Sequence, residues 1–219
     1  MIEAARRAKR LLMEAMWPRF LPGIAKTREL VAAGLIGEVR RVTADFGFAA
    51  RFDPGDRLFD RRLGGGALLD VGIYPVSLAH MILGAPGTIF GVAHIGETGV
   101  DEEAAVLLEY EGGRHAVLSM SIILRTARDA RIDGTEGWIR LPERWWAPRS
   151  ITLGGGGRPD RTLELPFRGS GFVDEIEAFV CLARSGAMES PVMPLGESLA
   201  VIRTMDRIRE RWGLHYPSE

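Results

Sequence analysis

Residues 63–83 read LGGGALLDVGIYPVSLAHMIL, and this stretch decides the fold that we predict. Its three glycines lead directly into a helical pattern that ends at Gly84. Asp70 and Tyr74 are four residues apart, which places both side chains on one face of an α-helix, about one turn apart. Ser77 extends the same polar line. An apolar stripe follows the helical period at Leu68, Val71, Leu78 and Ile82. A carboxylate and a phenol on an otherwise apolar helix predict a functional site.

Pro75 follows Tyr74 directly and predicts a distortion of this helix. Inside a helix a proline removes one hydrogen bond, and its ring clashes with the carbonyl four residues earlier, here that of Val71, at a cost of about 3 kcal/mol. We therefore expect a kink next to Tyr74, and helix distortions often accompany functional sites. For Asp70 a structural alternative stays open, since a buried aspartate can also cap a helix or pair with one of the many arginines.

The glycine run Gly64–Gly66 permits two interpretations. Its backbone N–H groups could bind a phosphate at the positive end of the helix. However, the run is not a GxGxxG, no hydrophobic strand precedes it, and no lysine of the P-loop type follows it. We therefore favour a close approach of the backbone to a planar ligand or to a neighbouring loop, which only glycine permits. Gly65 and Gly66 are the candidate cofactor contacts.

Length and composition exclude several classes of protein. A chain of 219 residues can form one large domain or two small ones, with a sizeable core. Its hydrophobic share of 46% and charged share of 26% are typical of a soluble globular protein. Because 28 basic residues nearly balance 29 acidic ones, the chain has no general attraction to nucleic acid or to an anionic membrane. We predict neither partner.

The rare residue types indicate a cytoplasmic protein without a metal. Cys181 is the single cysteine, so no intrachain disulfide forms and nothing requires an oxidising compartment. The charged opening of the chain is not a signal peptide, and we see no uninterrupted apolar run that would span a bilayer. The four histidines share no spacing typical of metal ligands. Lys9 and Lys26 are the only lysines.

The patterns along the chain predict an α+β fold. Residues 2–10 are predicted to form a short helix and residues 11–16 a brief apolar strand, and another helix begins at Pro22. Short turns such as Gly112–Gly113 make the sheet mainly antiparallel. We expect an open sheet with helices packed on one face, and a homodimer through the other face. The predicted strands are 39–48, 88–95, 104–110, 114–124, 128–133, 138–141, 150–153 and 161–165, and the predicted C-terminal helices are 173–185 and 195–212.

Four segments together resemble the Gfo/Idh/MocA family of NAD(P)-dependent oxidoreductases, within it the branch of the dimeric dihydrodiol and D-xylose dehydrogenases. They are EAMWPRFLP at 14–22, IGEVRRVTADFGF at 36–48, GGGALLDVGIYP at 64–75 and SPVMPLGESLAVIRTMDRIRERWG at 190–213. The resemblance implies a Rossmann domain that binds NAD or NADP, followed by a C-terminal α/β domain for substrate binding and dimerisation. Residues 1–16 would then be the remnant of the nucleotide-binding domain, and residues 17–219 the C-terminal domain.

The resemblance also implies roles for individual residues. Asp70 would position a sugar or cyclic diol, and Tyr74 would be the acid/base in hydride transfer. Pocket candidates are Trp17, Arg19, Phe48 and Trp146. Family members use a lysine in a Glu-Lys-Pro segment, which this sequence lacks. A free tyrosine has a pKa of about 10 and needs a nearby cation to act as a base at neutral pH. The alternative is a non-catalytic binding or dimerisation module without the Rossmann domain.

Overall fold

The computed structural model describes residues 1–217, and these form an α+β fold, as predicted. The strands are β1 (Val39–Gly47), β2 (Thr88–Ile95), β3 (Asp101–Glu109), β4 (His115–Ser121), β5 (Ala130–Gly134), β6 (Trp138–Leu141), β7 (Ser150–Gly155) and β8 (Arg158–Glu164). The α-helices are α1 (Ile2–Ala8), α2 (Pro22–Ala32), α3 (Ile73–Leu83), α4 (Val173–Ser185) and α5 (Leu195–Glu210). Shorter helical turns lie at Trp17–Phe20, Arg61–Leu63, Leu68–Gly72 and Glu111–Gly113.

Within residues 1–217 the strands form one eight-stranded sheet in the order β2-β3-β4-β1-β5-β6-β7-β8. All neighbouring strands are antiparallel except β1 and β4, which are parallel from the pair Arg41 and His115 to the pair Gly47 and Ser121. A parallel pair needs a crossover connection, and α3 lies within that connection. This topology places α3 over β1 and β4 at the centre of the sheet.

The segment that ends in α3 forms the centre of the core. Leu68, Val76 and Ala79 are fully buried there, and they belong to the same apolar cluster as Leu118 and Met120 of β4. By length and composition alone, residues Arg61–Leu83 could cross a membrane, with a mean hydropathy of 1.5. However, 67% of the apolar window in this segment is buried inside the fold. Its apolar character is therefore explained by packing on the sheet.

The opposite face of the sheet has an exposed apolar half on β2, β3 and β4. Phe90 pairs with Leu107, and Leu107 pairs with Val117, so the three side chains share this face. Their exposed fractions are 49%, 40% and 46%, and Val92 beside them is 72% exposed. The other half of the face carries ion pairs, such as Asp133 with Arg41 and with Arg131.

The predicted strand at residues 11–16 is not formed, so that part of the prediction is wrong. These residues have no strand conformation, and the N–H of Leu12 donates to the carbonyl of Met188 at 3.2 Å. A strand requires a neighbouring ladder of hydrogen bonds. None of the described strands lies beside this segment.

Helix α4 forms where the sequence predicts it, but its apolar side does not pack into the core. Ile176 is 57% exposed and Phe179 is 41% exposed, and among the residues of α4 only Glu175 is buried. Leu199 and Ile202 of α5, the next helix along the chain, are also exposed. Both helices therefore expose apolar side chains, and we call these side chains of α4 and α5 together the α4–α5 surface.

Candidate active site

A turn of π-helix lies directly before the position at which Pro75 predicts a kink. Residues Leu68–Gly72 form this turn, and α3 begins directly after it. The i→i+5 pattern of a π-helix widens the helix where the ring of Pro75 would otherwise meet the carbonyl of Val71. Asp70 lies within the widened turn, and Tyr74 lies in the first turn of α3. Single π-turns of this kind are frequent at functional sites.

The glycine run binds a neighbouring loop, so its N–H groups are not free for a phosphate. The N–H of Gly65 donates to the carbonyl of Asp60 at 3.1 Å, and the N–H of Gly66 donates to the carbonyl of Leu58 at 2.9 Å. A Cβ atom on Gly65 would lie 2.6 Å from the oxygen of Leu58. The phosphate interpretation is therefore wrong, and the loop interpretation of the close approach is confirmed. The predicted cofactor contact at Gly65 and Gly66 stays a prediction. It would not be a hydrogen bond from these two N–H groups to a phosphate.

Asp101 anchors the start of the helical segment, a role that sequence reasoning missed. Its side chain is fully buried, and its Oδ2 atom accepts the N–H of Leu68 at 2.6 Å. Its Oδ1 atom has no hydrogen-bond partner among the described residues. A Cβ on Gly66, which has φ +118°, would lie 2.2 Å from this oxygen. Burial raises the pKa of Asp101 to about 7, while the hydrogen bond from Leu68 opposes that shift.

Asp70 forms an ion pair with an arginine of the charged loop, which was one of the alternatives for this residue. Its Oδ1 atom lies 2.6 Å from Nη1 of Arg57. The Asp70 side chain is 17% exposed and that of Arg57 is 68% exposed, so the pair lies at the surface of the site. The hydrogen bond to Asp70 raises the pKa of Arg57. No described residue donates to Oδ2 of Asp70, which leaves this oxygen available to a ligand.

Tyr74 belongs to an aromatic wall that the structure assembles from three elements. Its ring centroid lies 5.5 Å from that of Phe46 on β1, and the ring of Phe46 stacks on Trp146 at 3.6 Å. Trp146 was predicted for the pocket, whereas Phe46 was not. The Tyr74 hydroxyl has no hydrogen-bond partner among the described residues. Aromatic walls with a few free polar groups are typical of small-molecule sites.

Arg19 lies beneath the site and is bonded to the protein itself. It is 5% exposed, and its guanidinium donates to Oγ and to the carbonyl of Ser77 at 3.0 and 2.8 Å. It also contacts Glu197 of α5 at 2.8 Å. Burial lowers the pKa of Arg19, and the bond to Glu197 opposes that shift. Arg19 therefore joins α3 to α5, and its predicted contact with substrate stays a prediction.

Among the described residues, no aromatic ring pair joins Trp17 or Phe48 to Tyr74. The Trp17 ring lies 5.0 Å from the ring of Phe172, at the start of α4. Phe48 follows β1, and its N–H donates to the carbonyl of Ser121 at 3.1 Å. Both side chains are partly buried beside the core. Their roles in a pocket stay predictions.

The comparison with family models identifies the chain. Residues 24–140, more than half of it, match the model of the GFO/IDH/MocA C-terminal domain. The chain belongs to the GFO/IDH/MocA family. Similar curated relatives are the trans-1,2-dihydrobenzene-1,2-diol dehydrogenases of Xenopus tropicalis, 37% identical over 99% of this chain, and of Homo sapiens, 35% identical over 100% of it. The match covers 67% of each relative.

Solved structures of this oxidoreductase family share the fold. A 3-ketoreductase from Actinomadura kijaniata, in complex with NADP and TDP-benzene, has a TM-score of 0.80 and 26% identity, with 94% of this chain and 63% of that chain covered. An aldose-aldose oxidoreductase from Caulobacter crescentus, complexed with glycerol, has a TM-score of 0.84 and 24% identity, with 97% and 65% covered. The present chain thus spans less than two thirds of the length of each of these two solved chains.

Proposed function

We propose that this chain forms the substrate-binding and proton-transfer part of an NAD(P)-dependent oxidoreductase that acts on a sugar or a cyclic diol. One observation carries the proposal. On the distorted helix, the Tyr74 hydroxyl and the Oδ2 atom of Asp70 have no partners among the described residues, and an aromatic wall lies beside Tyr74. The dehydrogenase relatives and the NADP-bound neighbour support the same class of reaction.

The residues of this chain have distinct roles in the proposed reaction. In reduction, Tyr74 gives its phenolic proton to the oxygen of the substrate carbonyl and becomes a tyrosinate. In oxidation, that tyrosinate takes the proton of the substrate hydroxyl as the carbonyl forms. Asp70 accepts a hydrogen bond from a second substrate hydroxyl through Oδ2, while Arg57 fixes Oδ1. The bound nicotinamide would supply the hydride chemistry.

The glycine run does not form a site for the phosphates of the cofactor. The N–H groups of the glycine run are already bonded to residues 58 and 60. We therefore propose that NAD or NADP is held by a Rossmann domain of the family type, and that residues 1–16 belong to its end. In support, residues of α1 and Leu12 line one cleft with Leu199 and Ile202 of the α4–α5 surface. An apolar surface of this kind is suited to a domain interface.

A titration with NADPH tests the proposed function in this chain joined to a Rossmann domain of the family type. We expect saturable micromolar binding, seen as a change in nicotinamide fluorescence, together with reduction of NADP that depends on an added dihydrodiol or aldose. Binding without turnover would contradict the catalytic assignment. The absence of both would favour the second candidate, a non-catalytic module, for which the two exposed apolar surfaces are the supporting observation.

We also propose a homodimer through the apolar half of the sheet face on β2, β3 and β4. Val92→Arg places a charge in this half of the face, at a side chain of the edge strand β2 that is 72% exposed. We expect the wild type to sediment as a dimer and Val92→Arg as a monomer, because an interface core excludes unpaired charge. Ile176→Arg, on the α4–α5 surface, is the matched control and should leave the dimer intact. A monomeric wild type would contradict the proposal.

A further inference from the structure

A cavity of about 410 Å³ lies between α2 and the end of the sheet formed by β6, β7 and β8. It is separate from the candidate active site. Ile24 of α2 lines the cleft beside Tyr74, whereas Lys26 and Leu30 of the same helix line this cavity. Residues two apart on a helix point to different sides, so α2 separates the two spaces. Volumes of this size are typical of small-molecule sites.

The walls of the cavity are mostly apolar. Leu153 of β7 and Leu163 of β8 face it from the sheet, and Leu30, Leu35 and Ile36 face it from α2 and the loop that follows. Gly154 and Gly155 contribute only backbone, because a Cβ on Gly154 would lie 2.2 Å from the Trp138 ring and one on Gly155 would lie 2.6 Å from the Cα of Gly137. Gly156 and Gly157, with φ of 66° and 72°, then form the tight turn into β8. The hairpin of β7 and β8 thus closes one side of an apolar hollow.

Two cationic side chains lie on the edge of this hollow. Arg161 pairs in register with Leu153, so both side chains stand on the same face of the sheet. No carboxylate among the described side chains forms an ion pair with Arg161. Lys26, on the helix opposite, is bonded to Glu29 at 2.6 Å. Lys26 and Arg161 are the charged residues among those that line the cavity. Since Lys26 is bonded to Glu29, the exposed Arg161 is the cation there without a carboxylate partner among the described side chains.

We propose that this cavity binds a monocarboxylate with an apolar body, the carboxylate being held by Arg161 and the body lying among Leu30, Leu153 and Leu163. One negative charge on the ligand matches the one unpaired positive charge, and apolar surface is buried at the same time. Straight-chain and aromatic carboxylates share this chemistry. The proposal does not depend on the proposed oxidoreductase function.

Calorimetric titration of the full chain at low ionic strength tests the site. We expect octanoate to bind saturably, butyrate to bind more weakly because it buries less apolar surface, and octylamine, which has the opposite charge, not to bind. Naphthoate binding more tightly than octanoate would support the site and assign an aromatic ligand. Octylamine binding as well as octanoate, or no saturable binding of either carboxylate, would overturn the proposal.

Two variants and a control test whether octanoate binds in this cavity. Arg161→Gln should weaken octanoate binding roughly three- to tenfold, since it removes a partly screened charge-assisted contact. Leu163→Trp should abolish binding by filling the cavity. Arg140→Gln is the matched control, because Arg140 pairs with Thr152 on the opposite face of the sheet. Unchanged affinity in Arg161→Gln would contradict the proposal even if Leu163→Trp failed to fold.

Discussion

Tyr74→Phe is expected to lower turnover of the active oxidoreductase by about 10²- to 10⁴-fold, the usual contribution of a positioned acid or base. The substitution removes only the hydroxyl, which has no hydrogen-bond partner among the described residues. The ring keeps its packing against Phe46. We therefore expect the thermal unfolding temperature to stay within the range of a surface substitution while kcat falls.

A second tyrosine in the chain provides the matched control. Tyr110 is 5% exposed, and its hydroxyl also lacks a partner among the described residues. Tyr110 lies at the end of β3, where its N–H donates to the carbonyl of Arg114, and burial raises its pKa. Tyr110→Phe should therefore retain wild-type turnover. If Tyr74→Phe turned over every substrate at the wild-type rate, the assignment of Tyr74 as the acid/base would be wrong.

The sequence predicts the fold well because most of it depends on local periodicity. Strand β2 is found at the predicted residues, and α4 and the strands that follow Gly112–Gly113 lie within a few residues of their predicted bounds. The failure at residues 11–16 has a non-local cause. A short apolar run predicts a strand wherever it occurs in a sequence. It forms a strand only where a second strand lies beside it and completes the hydrogen bonds.

The candidate site could be predicted only in part. The pair Asp70 and Tyr74 lies on one helix, so its spacing alone indicates a shared face. The partners Arg57, Phe46 and Asp101 come from a loop and two strands, and no sequence period connects them to that helix. Asp101 in particular is a lone aspartate at the start of a strand. Its burial and its bond to Leu68 exist only after β3 has joined the sheet.

Asp101 gives the second large prediction, a stability that falls as pH rises. Its pKa is about 7 in the folded chain, against a usual value of 3.8. The folded state therefore keeps its proton over a pH range in which the unfolded state has already lost it. The contribution of this group to stability is fully present below about pH 4 and is lost as pH rises through about 7. At 1.36 kcal/mol per pKa unit, the loss amounts to about 4 kcal/mol.

Asp101→Asn removes this titration but keeps an oxygen that can accept the N–H of Leu68. Its amide also leaves one group without a partner, which costs about 1–3 kcal/mol at every pH. We therefore compare slopes. In urea unfolding, the stability of Asp101→Asn relative to the wild type should rise by about 4 kcal/mol between pH 4 and pH 8. Glu97→Gln, at an exposed carboxyl, is the control with an unchanged difference. Parallel pH profiles for Asp101→Asn and the wild type would show that Asp101 is ionised in the folded chain, and that burial does not govern the carboxyl that anchors the helix of Asp70 and Tyr74.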